Sequence, residues 1–399
     1  MTGVYSRRGA LTTGLGLAAG GLLAACSTPS RGSQGIPTIS GEIVVGANLE
    51  LTGVGSTLGQ LQEQALQVSA QILNTNGIPF GGRRLKVRLE IADNGGNPRS
   101  AGQLSQEFID QAKVSAIIGG TTVETAMAMV TVAEQRKVPL LCLNSGDEMT
   151  IPLPQRKFIY KLGPNATDVA VLLSRELYRR NLTTAVLLAG ADGHGESGVR
   201  AMPRAFNSAG GTITHTVRLP GGSRAFTDAA KQVAALKPKA VVIWSLAPGS
   251  AAAVAALRAA GYTGPVFLDP GAGADETLRG ANGNVMEGAV IAHSTVLGGA
   301  PLMATTTSGL AARDFIYRYI QQYGIFGGFA PYSADALNLI AVAARRANSL
   351  DPKRLRGRLE AGAVEGITGA YAFQPISHGG LEPDALVLFT AHQGAWVRI

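Results

Sequence analysis

The chain alternates short runs of apolar and β-branched residues with segments of helical periodicity, and it does so in two successive series. Strand candidates of the first series are residues 43–51, 85–92, 114–119 and 138–143. Those of the second series are residues 184–189, 213–219, 240–246 and 265–269. Strands that alternate with helices are typical of parallel sheets covered by helices on both faces. We therefore predict an α/β fold with two doubly wound lobes whose sheets are mostly parallel.

The length of 399 residues also favours two lobes, because single cores stop growing beyond about 250–300 residues. Residues 158–162 lie between the two series and residues 290–294 lie beyond the second, where the chain would cross between lobes. Amphipathic helices follow, the last beginning at Asp351, and the C-terminal segments 366–373 and 385–399 alternate like antiparallel strands. The expected lobes are residues 41–163 plus 293–365 and residues 164–292 plus 366–399.

The first 40 residues have the pattern of an export leader followed by a tether. Arg7 and Arg8 precede a short apolar run rich in small residues, which predicts a signal peptide over residues 1–25. Ala24 and Ala25 before Cys26 resemble the lipobox of bacterial lipoproteins, which implies that Cys26 is acylated and that residues 26–40 form a flexible tether. The arginine pair also resembles a twin-arginine leader, so both this route and the general secretory route stay open. We expect a body anchored by lipid outside the cytoplasm, in the periplasm or on the outer face of the cell membrane.

Composition and motifs argue against several function classes. The net charge is +8, but the basic residues are scattered without aromatic interleaving, unlike a nucleic-acid interface. If Cys26 carries lipid, the second cysteine, Cys142, has no disulfide partner. The five histidines lack metal-ligand spacing, and residues 195–198 do not form a nucleophile elbow. We therefore expect no catalytic residues, no metal and no cofactor.

Small and polar residues follow five of the predicted strands. These segments are 119–122, 144–147, 192–195, 245–247 and 269–271. Ligands of open α/β sheets bind at the carboxyl ends of strands, where hydroxyls and helix-start N–H groups suit a carboxylate or another small anion. One such loop is usually an ordinary turn, but five at this edge of the fold indicate a binding site.

Several segments, in order and spacing, resemble type I periplasmic solute-binding proteins of the branched-chain amino-acid (Leu/Ile/Val) class. The resemblance covers residues 41–399 and rests on segments 43–53, 92–94, 97–98, 116–120, 138–141, 192–195, 333–336 and 366–369. It implies two lobes joined by three crossovers, with a ligand held in the cleft between them.

The resemblance also implies the residues of the site. A ligand carboxylate would meet the first-lobe loops, at the positions Thr121, Thr122, Val123 and Ser145. The remaining candidates are Asp147, His194, Asp269 and Gly271. Gly271 stands where the family has an acid for the ligand's ammonium group, and the family's aromatic rings are missing near residues 58 and 247. We therefore expect the ligand to be an amino acid or another small polar organic acid or amide.

These observations predict a monomeric, non-enzymatic receptor that delivers its ligand to an ABC permease. The alternative is the same fold acting as a tethered regulator of a cell-wall enzyme or a sensor kinase. The missing aromatic rings favour this alternative. An exported hydrolase would need a nucleophile–base pair, and the sequence offers no such pair.

Overall fold

In a computed structural model of the chain, residues 39–219, 226–274, 277–299 and 304–399 are described. The predicted signal peptide, Cys26 and the tether up to residue 38 lie outside these ranges. Residues 39 and 40, expected in the tether, already belong to the first strand. No helix in the described ranges has the length and apolar character that a membrane crossing requires.

The first lobe is built on a sheet with the strand order β2-β3-β1-β4-β5-β6, parallel except for the pairing of β2 with β3. Its elements in chain order are β1 (Ile39–Leu49), α1 (Ser56–Asn76), β2 (Ile78–Phe80), β3 (Arg83–Asp93), α2 (Pro98–Asp110), β4 (Ala116–Gly119), α3 (Val123–Arg136), β5 (Leu140–Cys142) and β6 (Ile159–Lys161). All four residues of β4 are buried, as expected of a strand covered on both faces. The helices α2 and α3 pack together on one face, and α1 covers the other.

The second lobe repeats this arrangement. The chain crosses into α4 (Ala166–Arg179) and continues through β7 (Thr184–Gly190), α5 (Gly193–Ser208), β8 (Thr212–Leu219), α6 (Thr227–Ala235), β9 (Val241–Trp244), α7 (Gly249–Ala259), β10 (Val266–Leu268), α8 (Ala281–Met286) and β11 (Val290–Ser294). The strands β8, β7, β9, β10 and β11 are parallel neighbours in that order. Apolar clusters lie on both faces of this sheet.

The chain then returns to the first lobe with α9 (Thr307–Tyr323), α10 (Pro331–Ala347), α11 (Pro352–Leu359) and the short pair β12 (Val364–Glu365) and β13 (Ala370–Tyr371). A third crossing leads to β14 (Leu386–His392) and β15 (Ala395–Arg398), which extend the second sheet antiparallel to β11. The predicted α/β fold, with two doubly wound lobes and three crossovers, is confirmed.

The segment after residue 366, predicted to belong to the second lobe, packs in part on the first lobe. Tyr371, Phe373 and Leu381 are buried in the core of the first lobe. The buried Asp335 of α10 explains this, because its carboxylate accepts hydrogen bonds from the backbone N–H groups of Ile367 and Thr368 at 2.6 and 2.9 Å. The segment is thereby fixed to the first lobe, and the second lobe resumes only near β14.

Candidate functional site: the cleft at the strand ends

A carboxylate of the protein itself accepts hydrogen bonds from the backbone at the start of α3. Glu50 follows β1 and is 0% exposed, and β1 lies beside β4, so Glu50 meets the loop that leads into α3. Its carboxylate accepts hydrogen bonds from the N–H of Thr121 at 3.1 and 3.2 Å and, more weakly, from the N–H of Thr122 at 3.5 Å. The hydroxyl of Thr125 donates to the same carboxylate. A negative charge at a helix N-terminus is stabilised by the helix dipole, and here Glu50 supplies it.

The two threonines predicted as anion anchors are therefore engaged within the lobe. The Thr121 hydroxyl donates to Oε1 of Gln62 at 2.6 Å. The Thr122 hydroxyl caps α3 by accepting from the N–H of Thr125 at 3.3 Å. Sequence reasoning missed Glu50 because it lies inside the predicted strand 43–51, whereas β1 ends at Leu49.

A second group of first-lobe residues lies after β5 and β6. Lys161 is 0% exposed, and its Nζ donates to Oδ1 of Asp147 at 2.6 Å. Asp147 thus neutralises a buried cation that the sequence analysis did not consider. The Oγ atom of Ser145 is buried and has no hydrogen-bond partner among the described residues. A buried hydroxyl without a partner is costly, so Ser145 is suited to a ligand.

In the second lobe, the loops after β7 and β10 bring His194 and Asp269 together. Asp192 caps α5 by accepting from the N–H of Gly195 at 2.7 Å, which fixes His194 in the first turn. Nε2 of His194 lies 2.7 Å from Oδ2 of Asp269, and both side chains are buried. The N–H groups of Ser245 and Gly271 donate to the two oxygens of Asp269, at 2.9 and 2.8 Å.

The charges around His194 set its protonation. Burial alone lowers the pKa of an imidazole, but the negative charges of Asp269, Asp192 and Glu124 outweigh this, and the pKa of His194 is raised above its ordinary value. The Asp269 side chain therefore favours the protonated form of the His194 ring.

Gly271 makes room for this pair. A Cβ atom on Gly271 would lie 2.8 Å from Nε2 of His194 and 3.0 Å from Cδ2 of Leu246. Any side chain here would displace the His194 ring, so an acid at this position and the present ring cannot coexist. The neighbouring Ala247 packs into the core cluster of the first lobe, which places this loop at the junction of the lobes.

The lobes touch directly at the starts of α3 and α5. A Cβ atom on Gly193 would lie 2.5 Å from Cγ1 of Val123, and the N–H of Gly193 donates to Oε1 of Glu124 at 2.8 Å. Arg200 of α5 forms an ion pair with Glu148 of the first lobe at 2.9 Å. The structure is thus a closed arrangement in which Val123 serves as an apolar contact between lobes.

The predicted site residues come from both lobes. Hydroxyl, imidazole and backbone groups from both lobes surround the strand ends. In the ranges that the structure describes, His, Cys, Asp and Glu side chains do not gather into a group able to hold a metal ion.

Solved structures share this fold. An extracellular ligand-binding receptor from Rhodopseudomonas palustris HaA2 matches with a TM-score of 0.81 and 21% identity over 90% of this chain and 99% of its own. The branched-chain amino acid transporter substrate binding protein LivJ from Streptococcus pneumoniae, solved in complex with isoleucine, matches with a TM-score of 0.77 and 19% identity over 90% and 99%. A solute binding protein of an ABC transporter from R. palustris, in complex with benzoate, matches with a TM-score of 0.76 and 19% identity over 90% and 95%.

The comparison with curated proteins gave no match. A family model described as periplasmic binding protein matches residues 42–388. This confirms the predicted resemblance to periplasmic solute-binding proteins and the expectation of a receptor rather than an enzyme. The chain belongs to the periplasmic binding protein family.

Proposed function

We propose that the protein is an extracytoplasmic substrate-binding lipoprotein of an ABC importer, which closes its two lobes on an amino acid or a similar small polar organic acid or amide. Family membership implies the extracytoplasmic location and a ligand-binding role. The observation that carries the proposal is the direct contact of Gly193 with Val123 and Glu124, because contacts between lobes beside a cleft are what hinge closure forms.

The proposed ligand contacts fall into two groups. Ser145, His194 and Val123 form the walls of the proposed ligand cleft, because they offer an unpartnered hydroxyl, an imidazole and an apolar contact. Gly271 contributes indirectly, because its missing side chain leaves room for the His194 ring. The other predicted residues, Thr121, Thr122, Asp147 and Asp269, support these walls through hydrogen bonds within their own lobes.

Cys26 carries the lipid anchor after removal of residues 1–25, and the mature protein is a monomer that presents its closed form to a permease. A ligand that favours the closed form shifts the population toward it, and the permease recognises the closed form. The isoleucine and benzoate bound by two of the similar structures are both small organic acids, which supports this ligand class.

A tethered regulator of a cell-wall enzyme or sensor kinase is the second candidate. One observation favours it: Glu50 occupies the backbone donors at the start of α3, which a ligand carboxylate would otherwise use. A cleft closed by its own side chains would then serve only to hold the lobes in one arrangement.

Thermal denaturation of the residue 39–399 body, with panels of amino acids, amides, short carboxylates and aromatic acids, distinguishes the two. A ligand at about 100 times its Kd stabilises the folded state by about 2.7 kcal/mol, and X-ray scattering should show compaction with the same compound. Unchanged melting curves across every class would reject the importer role. Capture of a cell-wall synthase by the same protein would then support the regulator.

A further inference from the structure

The end of the first lobe that faces away from the cleft carries a row of exposed cations. The strands β3, β1, β4, β5 and β6 are parallel neighbours in that order, so their amino ends lie along one edge of the sheet. Arg83 is the first residue of β3, and exposed lysines lie two or three positions before β4, β5 and β6, namely Lys113, Lys137 and Lys157. Four of these five strands therefore begin beside an exposed positive charge.

The helix α11 lies at the same end of the lobe. Nε of Arg356 donates to the carbonyl of Lys157 at 3.0 Å, which fixes α11 beside the start of β6. Nη1 of Arg346, in the last turn of α10, donates to the carbonyl of Ala361, just after α11, at 2.9 Å. The helix adds three exposed cations to this end, which are Lys353, Arg354 and Arg358.

The described chain also begins at this end of the lobe. Ile39 is the first residue of β1, and a Cβ atom on the nearby Gly41 would lie 3.7 Å from Nη1 of Arg83. A Cβ atom on Gly81, in the turn before β3, would lie 3.0 Å from Oδ1 of Asn348, the residue that follows α10. The starts of β1 and β3, the end of α10 and the helix α11 therefore belong to one surface.

We call it the basal surface and define it by its exposed cations, which are Arg83, Lys113, Lys137, Lys157, Arg345, Lys353, Arg354 and Arg358. Within the described ranges, none of these eight side chains forms an ion pair. Three acids of the same strand starts and helix ends pair with other arginines at 2.6 to 3.1 Å, namely Glu42, Asp110 and Glu360. Three more have no ion-pair partner among the described residues, namely Glu107, Glu134 and Asp351. Eight cations against three acids leave the basal surface strongly positive.

We propose that the basal surface docks on the anionic headgroups of a phospholipid bilayer. Cys26 lies 13 positions before Ile39. An extended chain spans at most about 3.6 Å per residue, so a lipid on Cys26 would keep the start of β1 within about 47 Å of the bilayer. Each cation near an anionic bilayer strengthens binding about fivefold, and the fold gathers cations that are scattered along the sequence. This inference rests on the lipid anchor of the proposed function and adds the face that the anchored body turns to the membrane.

Co-sedimentation with lipid vesicles tests the basal surface apart from the anchor. The protein is the chain from residue 26 onward with Cys26→Ser, which cannot be acylated at that position. We expect it to bind vesicles of phosphatidylcholine and phosphatidylglycerol in a two-to-one ratio, but not vesicles of phosphatidylcholine alone. Added salt should release the protein, since salt screens exposed charges.

Matched substitutions locate the binding surface. Removal of three cations of α11 should weaken binding roughly tenfold or more, in the variant Lys353→Gln/Arg354→Gln/Arg358→Gln. The control removes three exposed cations of the second lobe and should stay within about twofold of the wild type, in the variant Arg204→Gln/Lys231→Gln/Lys239→Gln. A second basal variant replaces the three lysines before β4, β5 and β6 by glutamine. It should weaken binding in the same way if the α11 variant fails to fold, which thermal melts report.

The inference is overturned if the protein does not bind the vesicles with phosphatidylglycerol, if either folded basal variant binds them like the wild type, or if the control loses binding equally. Binding to polyglycerol phosphate chains without binding to vesicles would also overturn it, because the partner would then be a wall polymer. Thermal denaturation with solutes measures ligand binding, and the mass of the native protein reports acylation of Cys26. Failure of the basal surface is thereby distinguished from failure of the proposed function.

Discussion

The starts of α3 and α5 meet where the two lobes touch, yet their backbone donors are satisfied in different ways. Each helix follows a parallel strand and has a side-chain cap, Thr122 for α3 and Asp192 for α5. The carboxylate at α3 is Glu50 of the same lobe, whereas the N–H of Gly193 in α5 bonds to Glu124 of the opposite lobe.

This difference separates a permanent feature from a reversible one. The bonds of Glu50 persist whether the lobes are open or closed, so the first lobe keeps a pre-formed helix start. The bond between Glu124 and Gly193 exists only while the lobes meet, and it contributes to closure itself. Substitutions at the two helix starts should therefore act on different quantities, folding stability in the first lobe and ligand affinity in the second.

The largest expected effect is on the first helix start. Glu50→Ala should lower the free energy of unfolding by about 3 kcal/mol, because buried N–H and hydroxyl donors lose their acceptor. Urea denaturation measures this change. Glu107→Ala, at an exposed acid of α2, is the control and should stay within about 0.5 kcal/mol. Equal losses in both variants would contradict a structural role for the buried carboxylate.

The second prediction concerns closure. In Gly193→Ala the added methyl group would lie 2.5 Å from Val123, so the lobes cannot meet as they do here, while α5 itself tolerates alanine. We expect the affinity for the ligand to fall at least tenfold, since the closed, binding-competent fraction decreases, with little change in unfolding free energy. Gly357→Ala, at an exposed helix position with open space around it, is the matched control. Unchanged affinity in Gly193→Ala would show that this contact plays no part in binding.

The smallest predicted effect is a pH dependence in the second lobe. The folded pKa of His194 is raised by Asp269, Asp192 and Glu124 against the effect of burial, so its contribution to stability is complete below the unfolded pKa of about 6.5. That contribution is lost as the pH rises through the folded pKa. The difference in unfolding free energy between the wild type and His194→Gln should therefore shrink from pH 6 to pH 9.

Urea denaturation across this range measures the difference. His293, whose pKa is lowered to about 4 by burial, gives a slope of the opposite sign at acid pH, but it is present in both proteins and cancels. If the difference in unfolding free energy grew with pH instead, that result would contradict a raised pKa of His194.

Much of the fold was predictable because its strands are buried on both faces. Continuous apolar runs such as Val241–Trp244 identify central parallel strands without further information. The helix α2 was not predicted, since its buried residues are Ala101, Ser105 and Phe108, and only the last is strongly apolar. The attachment of the segment after β12 was not predictable, because it depends on Asp335, a single buried acid 32 residues away.

The position of the candidate site in the fold was predictable, but the hydrogen-bond partners within it were not. Parallel strands bring their carboxyl ends to one edge, so the loops holding His194 and Asp269 were expected near each other. Which groups bond across that edge depends on contacts between residues 71 and 75 positions apart, as for Thr121 with Glu50 and His194 with Asp269. Local sequence patterns carry no signal for such pairs, nor for the complete burial of Lys161.

The three crossovers also have a consequence for biosynthesis. The Oγ of Ser333 donates to the carbonyl of Gln62, 271 positions earlier, and β14 completes the sheet that begins with β7. A chain emerging from the ribosome therefore cannot finish either core until the segment up to β14 has been made. Such long-range closure slows folding and leaves apolar surface exposed in the nascent chain. The polypeptide is thus most accessible to chaperones during the interval before its final strands are translated.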